Sequence, residues 1–174
     1  MGTGRNTGFT LVELLMVVAL IGIVSALAVP GLLRARMSGD EASAIGSLRV
    51  INSGQHTYAS SAARGGYATS LAILGTSCGA TGDGFVSPDL GSAAGGVKSG
   101  YVMAIDGTVG LAGPSDCNGT VSRSAYLATA TPVTVGVTGV HSFITSEAST
   151  IYRTVTAQGV KATAADMIPA NAIQ

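Results

Sequence analysis

The chain opens on a short polar stretch, Met1–Gly8, and then turns abruptly apolar. From Phe9 to Val29 the only polar side chains are Thr10, Glu13 and Ser25, and the twenty residues from Leu14 to Leu33 carry no charge. About 20 such residues are what a helix needs to cross the hydrocarbon core of a bilayer. At Arg34 the polarity changes, and Met37, Ile45, Leu48, Ile51, Tyr58 and Ala62 then recur at helical spacings. Arg36, Asp40, Glu41, Ser43, Ser47 and Asn52 fall on the other face, and Gly65-Gly66 is a stop signal. The pattern predicts one helix from Phe9 to Ala63, roughly 80 Å long at 1.5 Å per residue. Residues 9–33 are its transmembrane half and 34–64 its amphipathic half.

Residues 65–99 are rich in Gly, Ser and Ala, and read as a long loop with little regular structure. Strand patterns follow. Tyr101–Ile105 precedes Asp106-Gly107, a two-residue hairpin signal that predicts Thr108–Ala112 as the returning strand. Further strands are expected at Ala125–Thr131, Val133–Thr138, His141–Thr145 and Ile151–Val155, with a hairpin around Ser146–Ser149. The tail after Lys161 reads as loosely ordered. The expected fold is α+β: a long N-terminal helix packed on a small antiparallel sheet, with 65–174 as a head of loop and sheet.

Composition narrows the possible chemistry. The chain is 47% hydrophobic and only 10% charged, against about 25% charged in ordinary soluble domains. Nine Lys+Arg balance nine Asp+Glu, so there is no basic field to attract nucleic acid. The two histidines, His56 and His141, lie far apart, no Gly-x-Ser-x-Gly elbow is present, and the carboxylates are scattered. This predicts neither enzyme nor cofactor, and no metal spacing occurs. Cys78 and Cys117 are the only cysteines. A disulfide is the favoured reading, suited to an oxidising compartment, and two separate buried thiols are the alternative. Asn118-Gly119-Thr120 matches a short glycosylation acceptor motif.

The flanks of the apolar run set it apart from an ordinary secretory signal. The leader Met1–Gly8 carries one cation, Arg5, and no apolar region of its own. Cleavage at its end would therefore leave the apolar run in the mature protein. The junction Gly8-Phe9-Thr10-Leu11-Val12-Glu13-Leu14-Leu15 resembles the signal of type IV prepilins and of the related pseudopilins of type II secretion. The resemblance is specific over residues 5 to about 36, and a weaker similarity runs to about residue 75.

That resemblance implies a leader of residues 1–8, cut between Gly8 and Phe9 by a prepilin peptidase that also methylates the Phe9 amine. It implies that Phe9 and Glu13 act in assembly, and that Gly22 and Pro30 mark where the helix loosens in a filament. Physical chemistry bears on two of these residues independently. A carboxylate within an apolar span is costly and usually functional, so Glu13 wants a cation such as the Phe9 amine; the alternative is a plain N-terminal Glu favoured by the helix dipole. Pro30 removes one helical hydrogen bond and crowds the preceding turn, so a kink or local melting is expected. The partners implied are copies of the chain, minor pilins, the inner membrane and the pilus or secretion assembly machinery. The location implied is the inner membrane, single-pass with a periplasmic head, and an extracellular pilus afterwards. Three readings stay open: a pilus subunit for adhesion, motility or DNA uptake; a secretion pseudopilin; and a non-polymerising single-span protein. Calcium-binding pseudopilins carry acidic residues near the C-terminus, whereas the last thirty residues here hold only Glu147 and Asp166, which favours the pilus.

Overall fold

The computed structural model describes residues 9–79, 82–91, 96–154 and 162–173. The leader, with Gly8, lies outside them. The chain divides into two compact units, one ending at Arg36 and the other starting at Met37. Helix α1, Leu11–Ser61, contributes residues to both.

In the second unit Ala44, Leu48, Ile51 and Tyr58 of α1, with Ala62 just beyond its end, pack into the core with the sheet, so Leu48, Ile51, Tyr58 and Ala62 of the apolar stripe seen in the sequence are buried. Ala62 and Ala63 both donate to the Tyr58 carbonyl, and Gly65 donates to Ala59 O at 2.7 Å. Arg64 (φ 50°) and Gly65 (φ 97°) are left-handed, so the double-glycine signal ends the helix by the usual backbone route.

Six strands form the main sheet: β1 (Gly96–Lys98), β2 (Tyr101–Asp106), β5 (Leu127–Pro132), β6 (Phe143–Ser146), β7 (Ile151–Arg153) and β8 (Ala172–Ile173), in the order β1-β2-β5-β6-β7-β8. Two further strands, β3 (Ala112–Ser115) and β4 (Val121–Arg123), make a separate ribbon. All the neighbours are antiparallel. In β2, Tyr101 and Met103 are buried while Val102 is exposed, the alternation a sheet with one packed face requires. Ala128, Ala130 and Phe143 join Tyr101 and the α1 residues in one core cluster.

Several expectations are corrected here. Thr108–Ala112 does not pair with β2, because Asp106 Oδ1 accepts from Thr108 N (2.9 Å) and Thr108 Oγ1 (2.6 Å). That side-chain turn leads the chain out of the sheet, and β1 and β5 take both edges of β2. The tight hairpin is instead β1–β2, where Ser99 (φ 48°) and Gly100 (φ 72°) are both left-handed, as a two-residue turn of this twist demands. Val133–Thr138 is a turn, with Thr134 O accepting from Val137 N and Thr138 N. The described residues of the segment 65–99 hold more regular structure than its composition suggests. They hold α2 (Leu71–Leu74), capped by the Ser70 side chain, and β1, and they bury Leu71, Leu74, Val86 and Leu90 in the core. The tail also folds: Asn171 Nδ2 donates to Asp166 O, and Ile173 stands opposite Ile151.

The polar face of α1 needs the same correction, since Ser47 and Asn52 are buried. Asn52 Nδ2 donates to Thr145 Oγ1 (3.0 Å) and Ser149 O (3.3 Å), while its Oδ1 accepts from Tyr126 OH (2.9 Å). Gln55, fully buried, bonds both backbone groups of Ala68. With their partners in place these amides avoid the cost of burial, Asn52 tying α1 to the sheet at Thr145 and Gln55 tying it to the segment before α2.

Candidate assembly helix

The first unit has the composition of a buried segment and the exposure of an unpartnered one. Phe9 is 79% exposed, and every Leu, Ile, Val and Met from Leu11 to Leu33 is exposed. The helix is long and apolar enough to cross a membrane, and its most apolar window buries nothing within the chain. Helix geometry satisfies its backbone internally, which is what a lipid environment requires.

The N-terminus of α1 is closed by a reciprocal cap. Thr10 Oγ1 accepts from Glu13 N at 3.2 Å, and Glu13 Oε2 accepts from Thr10 N (3.0 Å) and Thr10 Oγ1 (2.7 Å). Each side chain thus satisfies an orphan donor of the first turn. Among the described residues Glu13 makes no ion pair. The uncleaved chain offers none at Phe9, whose nitrogen is still an amide, whereas cleavage would turn it into a cation one residue before the N–H that Glu13 already holds. The role of Thr10 was missed in the sequence, although Thr10-Leu11-Val12-Glu13 ahead of an apolar run is the capping-box signature.

Gly22 and Pro30 lie within the unbroken helix. A side chain built on Gly22 would meet nothing within 4 Å, so its lack of one leaves a notch on the surface. Pro30 deprives the Ala26 carbonyl of its donor without interrupting α1 in the single subunit. Arg34 and Arg36 are exposed. Glu41 is engaged within the chain: its Oε1 accepts from Val140 N (2.9 Å) and His141 N (3.3 Å), and lies 3.1 Å from His141 Nδ1.

Cys78 and Cys117 form a disulfide with their Cα atoms 5.6 Å apart. It joins the segment after α2 to the β3–β4 ribbon. Beside it, Tyr58 OH donates to Asp116 Oδ2 (2.8 Å), and Asp116 Oδ1 accepts from Asn118 N and Thr120 N. Burial first, and then the Asp116 bond, push the Tyr58 hydroxyl well above its ordinary value. Asn118, of the acceptor motif, donates through Nδ2 to Ser77 O. His56 Nε2 lies 2.8 Å from Ser149 Oγ, while His141 meets Glu41, so the two histidines serve separate contacts. Among the described residues no group of three or more His, Cys, Asp or Glu is placed to hold a metal ion.

Residues 4–29 match the family model described as the prokaryotic N-terminal methylation motif. The chain is also similar to the type IV major pilin protein PilA of Myxococcus xanthus (strain DK1622), with 37% identity over 54 residues, or 31% of this chain and 24% of that protein. The match thus spans about a quarter of the relative's length. No solved structure matches the chain. The N-terminal segment carries a prepilin-type signal, and a long helix on an antiparallel sheet is an architecture consistent with the type IV pilin fold.

Proposed function

We propose that the chain is the structural subunit of a type IV pilus-like filament, made as a prepilin and polymerised through residues 9–33. The observation that carries this reading is the wholly exposed apolar helix, with one carboxylate near its start, inside a methylation motif. A prepilin peptidase cuts between Gly8 and Phe9 and the Phe9 amine is methylated. The subunit waits in the inner membrane, with residues 34–64 as the stem and 65–174 as the periplasmic head. It then leaves lipid for a bundle of like helices in an extracellular pilus serving adhesion, motility or DNA uptake.

Glu13 acts at that exchange. In lipid its charge is costly, and the Thr10 cap offsets part of that cost. In the bundle the charged amine of Phe9, on the same or a neighbouring copy, completes the pairing and sets the register. Gly22 and Pro30 are where the helix loosens as copies pack.

Intact-mass measurement of the protein from cells, with electron microscopy of sheared filaments, tests this reading. The mature chain is expected to start at Phe9 with one added methyl group and to be the bulk of the filaments. Glu13→Ala is expected to insert in the membrane while filament yield falls at least about tenfold, the equivalent of about 1.4 kcal/mol per subunit contact. A retained leader would end the prepilin reading. Absence from the filaments, with loss of protein export on deletion, would assign the chain to secretion.

A further inference from the structure

The turn between β3 and β4 carries a chemistry that the filament reading leaves unused. Asn118-Gly119 is the only Asn-Gly pair in the chain, and such a pair can modify itself in water. Glycine has no side chain to crowd its own nitrogen, which can attack the Asn118 amide carbon. The Gly119 N–H proton passes to water, the bond from that nitrogen to Cγ forms, and the Cγ–Nδ2 bond breaks as ammonia leaves. Water then opens the five-membered imide at either carbonyl, leaving aspartate or isoaspartate, with no oxidation or reduction. Asn118 is exposed, so water reaches it, but the fold holds both reacting groups. Gly119 N donates to Asp116 O (3.1 Å), and Asn118 Nδ2 donates to Ser77 O (3.1 Å). The turn around them is closed as well: Asp116 N donates to Thr120 O (2.8 Å), while Asp116 Oδ1 accepts from Asn118 N (2.9 Å) and Thr120 N (2.7 Å). Attack requires the Asn118 amide to leave Ser77 and the Gly119 nitrogen to leave Asp116 O. Ser77 and Asn118 are 41 positions apart, and each adjoins one of the bridged cysteines, Cys78 and Cys117. The bridge keeps this acceptor beside this amide.

We propose that Asn118 is a deamidation site guarded by the Cys78–Cys117 disulfide. While the bridge is closed, the amide stays on Ser77 and the site is quiet. A dithiol opens the bridge by exchange, leaving two thiols on the chain and becoming a disulfide itself; Asn118 is then released and converts. The guard is local, exerted on the turn rather than through the stability of the whole head. The conversion also prevents return. A carboxylate has no donor for Ser77 O, and it adds a negative charge two residues from the buried Asp116. Isoaspartate inserts an extra main-chain carbon into the turn that the bond from Asp116 to Thr120 closes. A chain whose bridge has once been opened therefore keeps the mark after reoxidation.

Full-length protein in detergent is incubated at mildly alkaline pH, with and without dithiothreitol. Peptide mass spectrometry reads the amide-to-acid mass gain at Asn118, and an isoaspartate methyltransferase assay reads the isomer. A synthetic peptide copying Ser115–Val121 gives the unguarded rate. The oxidised protein is expected to convert at least about tenfold more slowly than the peptide, and the reduced protein to come within about threefold of it. Leu48→Ala, which loosens the core and keeps the bridge, is expected to hold the slow oxidised rate. An oxidised protein as fast as the peptide, or a reduced one no faster than the oxidised, would overturn the proposal. So would equal acceleration by Leu48→Ala, or loss of the head's near-ultraviolet tyrosine signal on reduction, since unfolding of the whole head would then be the cause.

Discussion

Helix α1 holds two regions with the same backbone and opposite circumstances. From Leu11 to Leu33 its apolar side chains are exposed, whereas from Ala44 to Ala59 one face is buried, to the last atom at Ala44, Leu48 and Ile51. The second region packs on a sheet from the same chain, with Asn52 bonded to Thr145 of β6 and to Tyr126, and Gln55 bonded to Ala68 in the segment after the helix. The first has only its own backbone bonds and the Thr10–Glu13 cap. A helix uniformly apolar around its circumference cannot be satisfied by one sheet on one side. Among the described residues nothing covers the first region.

The sharpest test of this contrast replaces one leucine in each region. Leu48→Ala is expected to lower head stability by about 2–5 kcal/mol, and Leu20→Ala, at an exposed site, to leave the head's thermal midpoint in detergent unchanged. A shift of similar size from Leu20→Ala would show that the two regions share a core. Reduction of Cys78–Cys117 should cost the head about 4 kcal/mol on the chain-entropy account of a loop this long. Denaturant curves with and without reductant measure it, and hydrogen exchange in residues 11–33 should not respond.

Asn52→Ala should cost the head about 1–3 kcal/mol, because it leaves the Tyr126 hydroxyl and Thr145 without their buried partner. A conservative Asn52→Asp change, which keeps an acceptor for Tyr126, should recover part of that. On the other side of the contrast, Thr10→Ala should cost about 1 kcal/mol of first-turn stability. This is to be read by hydrogen exchange near Leu14, with the head's midpoint again constant.

The smallest effect belongs to an exposed ion pair. Lys98 Nζ lies 2.7 Å from Asp89 Oδ2, and that bond, with a further one from Ser87, lowers the Asp89 carboxyl from 3.8 to about 2. A carboxyl lowered on folding stabilises the head above its unfolded value, and that contribution fades as pH falls from about 4 to about 2. Lys98→Met should move the Asp89 titration midpoint back towards 3.8 by NMR, with little change in stability at neutral pH because both groups face water.

How far the sequence could be read followed the range of the forces involved. The apolar run, the leader junction and the double-glycine stop are local patterns, set by residues within a few turns of one another, and they carry both the helix and the processing signal. The capping box was equally local, and was present in the residues to be read. The strands at β2, β5, β6 and β7 were legible from alternation and β-branched content. Their partners were not, since Asp106-Gly107 has the letters of a hairpin and only the bond from Asp106 to Thr108 shows that the chain turns away.

By itself, then, the sequence determined one long helix with an apolar first half and a single carboxylate near its start, because these depend on periodicity and on local composition. The tertiary structure alone decided which polar residues of the stem are buried, that residues 65–99 supply core, that the tail ends as β8, and that the two cysteines meet. Those outcomes depend on contacts between residues tens of positions apart, such as Asn52 with Thr145 and Gln55 with Ala68. No local pattern encodes them, since a polar side chain is worth burying only where its distant partner arrives.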